Sequence, residues 1–268
     1  MSPARPPDGA HLPLGGTARS AKGAQLRLGA VIPVYNHGGP VVVVVAALRA
    51  HGLPVLLVDD ASEPGCAAVL DLLAGQPDVF LERLRVNQGK GGAVMAGLRR
   101  AHQLGWTHAL QIDADGQHNT HDVPAFIAAA VAEPAQLICG YPIYDDSVPR
   151  ARLYGRYATH IWVWINTLSL AVRDSMCGFR IYPLAQVLQC VEGRHIGRRM
   201  DFDTEIAVRL VWSGLRVTNL PTRVRYPEDG VSHFRVWQDN VLISAMHTRL
   251  FFGMLCRAPL LLWRKVSA

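Results

Sequence analysis

Short apolar runs alternate with segments of helical length along the first half of the chain. Strands are predicted at residues 28–34, 55–58, 79–84 and 108–112, and helices at 41–51, 66–74, 91–104 and 122–132. The valines from Val41 to Val45 favour a strand by propensity alone. Two parallel strands flank them, however, and parallel strands need a crossover connection that is usually helical. The pattern therefore predicts an α/β fold, with a mostly parallel sheet that carries helices on both faces.

The alternation becomes less regular after Cys139. We predict a strand at 137–140, a loop at 144–156, an apolar helix at 157–172 and a last strand at 217–220. Trp162 and Trp164 cannot share one face of that helix, because residues two apart diverge. We divide the chain into a disordered leader (1–27), an α/β domain (28–235) and a C-terminal amphipathic helical segment (236–268).

Composition and charge narrow the class of protein. Half of the 268 residues are hydrophobic, enough for a large core, and the formal charge of +6 is modest. The basic residues form clusters, which would suit nucleic acid, phosphorylated lipid or an anionic membrane surface. Five scattered cysteines without CxxC spacing argue against a disulfide framework and fit a reducing cytoplasm. No stretch reaches the ~20 apolar residues of a spanning helix, so we expect a protein that is neither exported nor integral to a membrane.

A pair of carboxylates follows the strand at 108–112. Asp113 and Asp115 are two residues apart, so in an extended segment both project to the same side. They lie at the carboxyl end of the strand, where ligands of open α/β sheets collect. Two carboxylates beside a diphosphate suit Mg²⁺ or Mn²⁺. The alternative is an acidic turn that caps the next helix.

Three other polar loops fall at the same predicted edge, at residues 33–36, 59–62 and 87–92. Asp59 or Asp60 is placed to accept hydrogen bonds from a base or ribose, and the turn from Gly89 to Gly92 lets backbone approach a ligand. The helix after that turn would offer unpaired amides to an anion. Each loop is weak evidence singly, but four on one edge form a site.

Other nucleotide and metal motifs fail on spacing. A Rossmann glycine pattern would need glycine at Val94, and a P-loop would need Ser or Thr where Gly91 follows Lys90. His118 and His121 have HxxH spacing but no evident third metal ligand.

Six motifs follow one another along the chain: Ile32-Pro33-Val34-Tyr35-Asn36, Val58-Asp59-Asp60-Ala61-Ser62, Asn87-Gln88-Gly89-Lys90-Gly91, Asp113-Ala114-Asp115-Gly116-Gln117-His118, Cys177-Gly178-Phe179-Arg180 and Phe202-Asp203-Thr204-Glu205-Ile206. Together they resemble family 2 glycosyltransferases of GT-A fold, in the branch of dolichyl- and polyprenyl-phosphate sugar transferases. The resemblance covers roughly residues 28–235. The whole sequence also resembles glycosyltransferases of bacterial aryl polyene clusters.

The resemblance implies roles for these residues. Metal ligands would be Asp113, Asp115 and Gln117, with Asp115 also catalytic. The nucleotide-sugar pocket would be formed by Pro33, Tyr35, Asn36, Asp59, Asp60, Asn87, Lys90, Asp113 and Ala114. Ala61 departs from the glycine usual in the family, and His233 stands where polyprenyl-phosphate enzymes commonly have lysine. The QxxRW motif of processive members is absent, which argues against a polymerising synthase.

The acceptor decides whether a general base is required. A lipid phosphate is already ionised and needs only cations, for which we predict Arg150, Arg152, Arg156 and Arg180, with His233 also at the acceptor site. A hydroxyl acceptor needs a carboxylate within reach of its proton. The candidates are Asp201, Asp203 and Glu205, and the motif favours Asp203, whose alternative role is a helix cap.

The sequence thus predicts a cytoplasmic, inverting glycosyltransferase peripheral on the membrane. Asp203, Asp115 and Arg180 would be catalytic, a UDP- or GDP-sugar the donor, Mg²⁺ or Mn²⁺ the cofactor, and a polyprenyl phosphate or lipid hydroxyl the acceptor. Partners would include an anionic membrane surface contacted by the basic, apolar tail, but no nucleic acid. A dimer contact or a cover for the sheet is the alternative role for the tail. The alternative function is a catalytically silent scaffold that binds nucleotide sugar or membrane.

Overall fold

The computed structural model describes residues 16–19, 25–143, 150–224 and 236–267. The strands are β1 (Thr17–Arg19), β2 (Gln25–Val34), β3 (Val55–Asp59), β4 (Val79–Arg83), β5 (His108–Gln111), β6 (Leu137–Ile143), β7 (Arg180–Pro183) and β8 (Val217–Arg223). The helices are α1 (Gly38–Ala50), α2 (Pro64–Ala74), α3 (Gly89–Gln103), α4 (Val123–Ala132), α5 (Arg150–Thr167), α6 (Leu184–Val191), α7 (Phe202–Trp212) and α8 (Val236–Val266), with a 3-10 turn at Thr120–Asp122.

One sheet organises the molecule, in the order β4-β3-β2-β5-β7-β6-β8, with β1 added antiparallel to β2. Strands β2 to β5 pair in parallel, and β8 is parallel to β6. Strand β7 runs antiparallel to both of its neighbours. The predicted mostly parallel α/β sheet is confirmed. We did not predict β7, because its four residues begin with an arginine and form no apolar run.

Both faces of the sheet are covered, as predicted. Along β3, Val55 and Leu57 belong to the apolar cluster shared with α1, α2 and α4, whereas Leu56 and Val58 belong to the cluster shared with α3, α6 and α7. Successive side chains of a strand point to opposite faces, so a strand that is apolar throughout is buried on both. The carboxyl edge is thereby left as the accessible part of the central strands.

Helices α5, α7 and α8 share a third apolar cluster, formed by residues such as Val163, Trp212, Met246 and Leu250. Helix α5 begins within the segment predicted as a loop and ends at Thr167, five residues before the predicted end. The predicted C-terminal helical segment is confirmed as α8, which continues through Pro259. None of the described helices is both long and apolar enough to cross a bilayer.

The structure departs from the predicted leader at two short stretches. Thr17–Arg19 pairs with β2, and β2 itself already begins at Gln25. These residues are strands because their backbone groups complete the antiparallel ladder, a long-range pairing that composition does not reveal. The rest of the predicted leader lies outside the described residues, apart from Gly16.

Candidate active site

The loop that follows β5 carries Asp113 into a cluster of charges at the carboxyl edge of the sheet. Lys90, in the first turn of α3, places its Nζ 2.8 Å from Asp113 Oδ1 and 2.9 Å from Asp113 Oδ2. The same Nζ lies 2.9 Å from Oδ2 of Asp203, in the first turn of α7. One ammonium group therefore bridges two carboxylates from distant parts of the chain.

The charges in this cluster shift one another's pKa. Burial alone would lower the pKa of Lys90, but the charges of Asp113 and Asp203 outweigh it and raise that pKa. Burial alone would raise the pKa of Asp113, but Lys90 and His118 hold it well below its usual range. The pKa of Asp115 is raised by burial and then by the charge of Asp113. Lys90 is thus held as a cation and Asp113 as an anion.

Asp203 is almost fully buried, 5 % exposed, and both of its oxygens have partners. Oδ2 faces Lys90, and Oδ1 accepts a hydrogen bond of 3.0 Å from Gln111 Nε2. Gln111 in turn accepts from the Tyr182 hydroxyl at 3.0 Å. Asp201, not Asp203, occupies the N-cap position of α7. The Asp203 carboxylate is held in place from two sides.

The antiparallel direction of β7 brings the segment before it to the same edge. Gly178 fits there because a Cβ would lie 2.8 Å from both Lys90 Nζ and Asp113 Oδ2. Arg180 pairs with Gln111 in the ladder, but its guanidinium is fully buried. It donates to the carbonyls of Cys177, Asp203 and Ser175 at 2.8, 2.6 and 2.6 Å.

This burial corrects the two roles predicted for Arg180. A guanidinium enclosed by three backbone carbonyls cannot contact an acceptor phosphate or a reacting sugar. Arg180 instead fixes the loop before β7 and the start of α7, which together carry Gly178 and Asp203. It is a positioning residue, and its burial could not be seen in the sequence.

The loops after β3 and β4 hold each other rather than presenting free carboxylates. Asp59 accepts from Ser62 N and Arg83 Nε, both at 2.8 Å. Asp60 accepts from Gln88 N at 2.6 Å and Gly89 N at 2.8 Å. Both carboxylates are buried, so the prediction that they accept from a nucleotide is not supported by their geometry.

The amino end of α3 is partly occupied, so it offers fewer unpaired amides than expected. Asp60 takes the amides of Gln88 and Gly89, and the Arg198 carbonyl takes that of Gly92 at 3.0 Å. The exposed Asn87 donates to the Asp60 carbonyl at 3.1 Å. For these three amides, the protein's own oxygen atoms take the place that the oxygens of a bound anion would occupy.

The loop after β2 keeps the more open part of the predicted nucleotide pocket. Tyr35 is 37 % exposed and Pro33 is half-buried. Asn36 accepts from Glu63 N at 2.8 Å and so joins the loops after β2 and β3. A cavity of about 480 Å³ lies beside Asn36, between the amino ends of α1 and α2, with Cys66 in its wall.

Two further residues of the metal loop differ from expectation. The Ala114 side chain is buried in the core, so only its backbone can face a ligand. The ring of His118 stacks on Phe179, with centroids 5.5 Å apart, and its Nε2 lies 3.6 Å from Asp113 Oδ2. The HxxH spacing, which lacks a third ligand, does not reveal that His118 lies beside Asp113. Its place directly after the acidic loop was the available signal.

Asp113, Asp115 and neighbouring groups form a partial set of metal donors. Asp115 Oδ1 accepts from Gln117 N at 3.0 Å, and His118 Nδ1 is buried with no hydrogen-bond partner among the residues that the structure describes. Within the described part of the chain, no three His, Cys, Asp or Glu side chains gather into a complete metal cluster. Two carboxylates plus substrate phosphates are nonetheless a common environment for Mg²⁺. The donors present fit a divalent cation that the substrate completes.

The model of the family described as glycosyl transferase family 2 matches residues 30–187 of the chain, more than half of its length. The chain belongs to glycosyl transferase family 2. The match begins in β2 and includes the loops that carry Lys90, Asp113 and Gly178. This protein is therefore a glycosyltransferase, as the resemblance of its motifs predicted.

Individual proteins agree with this assignment. The undecaprenyl-phosphate mannosyltransferase of Micrococcus luteus is 26% identical over 211 residues, which cover 73% of this chain and 82% of that protein. Glucosyl-3-phosphoglycerate synthase from Mycobacterium tuberculosis, in complex with Mn²⁺ and UDP-glucose, aligns with a TM-score of 0.58 at 13% identity, over 86% of this chain and 78% of that one. A mannosyltransferase from Pyrobaculum calidifontis, in complex with GDP-Man and Mn²⁺, gives 0.55 at 16% identity, over 86% and 64%. The structural likenesses show that this family 2 glycosyltransferase has the GT-A fold.

Of the four residues predicted to bind the acceptor, Arg156 is the one whose side chain the structure describes. Arg156 Nε donates to Asp174 Oδ2 at 2.6 Å and its Nη2 donates to Oδ1 at 2.8 Å, a bidentate pair that occupies this guanidinium. The side chains of Arg150 and Arg152 lie outside the described residues, and so does His233. For this glycosyltransferase the four acceptor assignments stay predictions, and the pairing of Arg156 argues against its own.

Proposed function

We propose that this protein transfers a sugar from a UDP- or GDP-sugar to a lipid-linked acceptor, with inversion at the anomeric carbon and with Mg²⁺ or Mn²⁺. The bridge from Asp113 through Lys90 to Asp203 is the observation that carries the proposal. Removing an ammonium group and two carboxylates from water costs free energy. Clusters of this kind are found more often at functional sites than elsewhere. The relative named for undecaprenyl phosphate supports the lipid acceptor, and neighbours that hold Mn²⁺ with a nucleotide sugar support the donor and the cation.

Asp113 and Asp115 would hold the cation, assisted by Gln117 or His118, and Lys90 would then keep its contact with only one of the two Asp113 oxygens. Bound there, it would stabilise the negative charge that develops on the departing diphosphate. The acceptor oxygen would attack the anomeric carbon from the opposite face, and the electron pair of the broken carbon–oxygen bond would remain on the diphosphate. Lys90 would keep Asp113 ionised and fix its orientation throughout.

The state of Asp203 favours a phosphate acceptor over a hydroxyl. A general base needs an oxygen within hydrogen-bond reach of the acceptor proton. Both Asp203 oxygens already face Lys90 and Gln111, and the side chain is nearly inaccessible. A lipid phosphate is ionised near neutral pH and requires no base, so we propose a polyprenyl phosphate acceptor.

Helix α8 has two apolar stripes, and the exposed one supports docking to a membrane. One stripe of α8 is buried, with Met246, Leu250, Met254 and Leu261 in the core. The opposite stripe is also apolar and is exposed at Trp237, Val241, Phe252, Leu255, Trp263 and Val266. Large exposed apolar patches mark interaction sites, and the exposed cation of Lys265 suits anionic lipid. We propose that this surface rests on the cytoplasmic face of the membrane.

Turnover assays test the proposed reaction. The full chain would be incubated with UDP- and GDP-sugars, a polyprenyl phosphate or a lipid alcohol, and Mn²⁺, Mg²⁺ or EDTA. We expect transfer to the phosphate with one nucleotide class, loss of transfer in EDTA, and a drop of about 10²- to 10³-fold for Asp115→Asn. Asp78→Asn, a surface carboxylate beside Arg49, is the matched control. Nucleotide binding without transfer by the folded protein would instead support the silent scaffold.

Vesicle flotation tests the membrane surface separately. The wild-type chain should float with vesicles that contain phosphatidylglycerol, and Phe252→Ser with Trp263→Ser should weaken that binding. Binding that is equally strong in the double variant would contradict docking through α8, whatever the transfer assay shows.

A further inference from the structure

Residues 194–201, between α6 and α7, form one wall of the candidate active site. The Arg198 carbonyl accepts from Gly92 N at 3.0 Å. A Cβ on Gly89 would lie 2.7 Å from that same carbonyl oxygen and 2.9 Å from Arg199 Cγ. The segment therefore packs directly on the glycine turn that carries Lys90.

Buried contacts fix this wall. Glu205 is fully buried and accepts from Gly197 N at 2.8 Å, from Arg209 at 2.8 and 2.6 Å, and from Arg249 of α8 at 2.7 Å. Asp201 Oδ1 accepts from Arg199 N at 3.1 Å. The backbone that presents Arg198 and Arg199 is thus attached to both α7 and α8.

The side chains of Arg198 and Arg199 are exposed at this wall. Among the described residues, neither guanidinium forms a hydrogen bond or an ion pair. The nearby carboxylates are otherwise engaged: Asp60 by backbone amides, and Asp113 and Asp203 by Lys90. Burial raises the pKa of Asp60, and the charge of Arg199 acts against that rise, which places the guanidinium within electrostatic range of the site.

An anionic substrate has few other positive groups to meet here. Helix amino ends commonly bind phosphate, but at α3 the amides of Gln88, Gly89 and Gly92 are already taken, which leaves at most those of Lys90 and Gly91. Arg180 and Arg156 are occupied by carbonyls and by Asp174. The guanidinium fork suits phosphate oxygens, to which it donates two parallel hydrogen bonds.

We propose that Arg199, with Arg198 beside it, binds a phosphate group of the substrate at the mouth of the site. This inference rests on the proposed function and adds a binding element that no sequence motif marked. The phosphate belongs either to the donor diphosphate or to the lipid acceptor, since both present the same chemistry.

Calorimetry and transfer kinetics on the full chain distinguish the two sources. Wild type, Arg199→Ala, Arg199→Lys and Arg198→Ala would be titrated with UDP and with GDP in Mn²⁺, and their KM for a short-chain polyprenyl phosphate measured. Arg99→Ala is the matched control, because Arg99 is an exposed arginine near the opposite end of α3. Loss of a charged hydrogen bond predicts about a 10- to 100-fold effect.

A weaker nucleotide Kd in Arg199→Ala would assign the arginine to the donor diphosphate, and a raised acceptor KM with normal nucleotide binding would assign it to the lipid phosphate. Arg199→Lys should recover part of either loss, and Arg99→Ala should show none. If Arg199→Ala and Arg198→Ala both stay within twofold of an active wild type, the inference is wrong and the proposed function stands. If folded wild type binds neither nucleotide and transfers nothing, the proposed function fails and this inference fails with it.

Discussion

The carboxyl edge of the sheet and the α5–α8 helix pair both bury polar groups, but they satisfy them very differently. At the edge, Lys90 contacts two carboxylates and Asp203 has a partner on each oxygen, although His118 Nδ1 lacks a partner among the described residues. Between the helices, Asn166 Nδ2 and His247 Nδ1 lie 3.2 Å apart, while Asn166 Oδ1 and His247 Nε2 lack partners among the described residues. Buried polar networks specify one geometry when they are fully paired. The edge is therefore organised by charge, and the helix pair by apolar area.

The largest expected effect comes from removing the cation of the edge. Lys90→Met leaves Asp113 and Asp203 facing each other without a counter-charge, so we expect a loss of about 3–5 kcal/mol in the free energy of unfolding, together with loss of transfer. Urea denaturation measures it. Lys265→Met, at an exposed position of α8, should change little. Equal stability of the two variants would mean that the edge does not depend on this charge.

The two faces of α8 should respond oppositely to truncation. Met254 is 4 % exposed and Phe252 is 62 % exposed. Met254→Ala should cost about 2–4 kcal/mol because it leaves a cavity. Phe252→Ala should stay within about 0.5 kcal/mol. Thermal unfolding of both variants compares them, and a large loss in Phe252→Ala would show that its face is covered in the isolated protein.

The unsatisfied pair between the helices should make the helix region sensitive to acid. Burial lowers the pKa of His247 from 6.5 to about 4. The unfolded chain thus binds this proton at higher pH than the folded chain does. The stability that the neutral His247 contributes is fully present above pH 6.5. It is lost as the pH falls from 6.5 towards 4, and the loss grows no larger below that.

Comparison with His247→Gln at pH 7.5 and 4.5 isolates this effect. The variant should lose about 2 kcal/mol less stability between those two pH values than wild type does. His121→Gln, at an exposed position, should behave as wild type. An unchanged pH profile in His247→Gln would place the acid sensitivity elsewhere.

The smallest effect concerns a turn at the edge. Ala61 has a φ of 60°, in the left-handed region where a Cβ is unfavourable. Ala61→Gly should raise the free energy of unfolding by about 0.5–1 kcal/mol, after the greater flexibility of glycine in the unfolded chain is offset. Ala67→Gly, within α2, should lower it by about 1 kcal/mol. Destabilisation by both substitutions would contradict strain at Ala61.

The sheet, and the gathering of its polar loops at one edge, could be predicted from the sequence. Both follow from the alternation of short apolar runs with segments of helical length. The motifs predicted that Asp113, Lys90 and Asp203 belong to one site. In the structure, Lys90 Nζ lies within 3 Å of an oxygen of each of the two carboxylates. The sequence did not show that the oxygens of Asp60 are taken by backbone amides. A carboxylate after a strand has the same appearance in sequence whether it binds a ligand or the protein's own chain.

The same limit explains the arginines. Arg156 and Arg180 were predicted to bind the acceptor, but their partners are Asp174 and three carbonyls brought close only by tertiary packing. Strand β7 was missed for a related reason, since its pairing partners are far away in the chain. Local composition does not record which groups a fold has already paired.

Two glycines at the edge, Gly91 and Gly178, should respond differently to substitution. A saturation-mutagenesis experiment that measures both cellular abundance and turnover would show the difference. A side chain on Gly91 would meet Phe202 and, at 2.9 Å, the Gly197 carbonyl oxygen, so substitutions there should deplete the folded protein itself. A side chain on Gly178 would meet the carboxylate of Asp113 and the ammonium end of Lys90, so substitutions there should lower turnover more than they lower abundance. A substitution of glycine in this enzyme therefore has to be assigned either to folding or to turnover before its effect is interpreted.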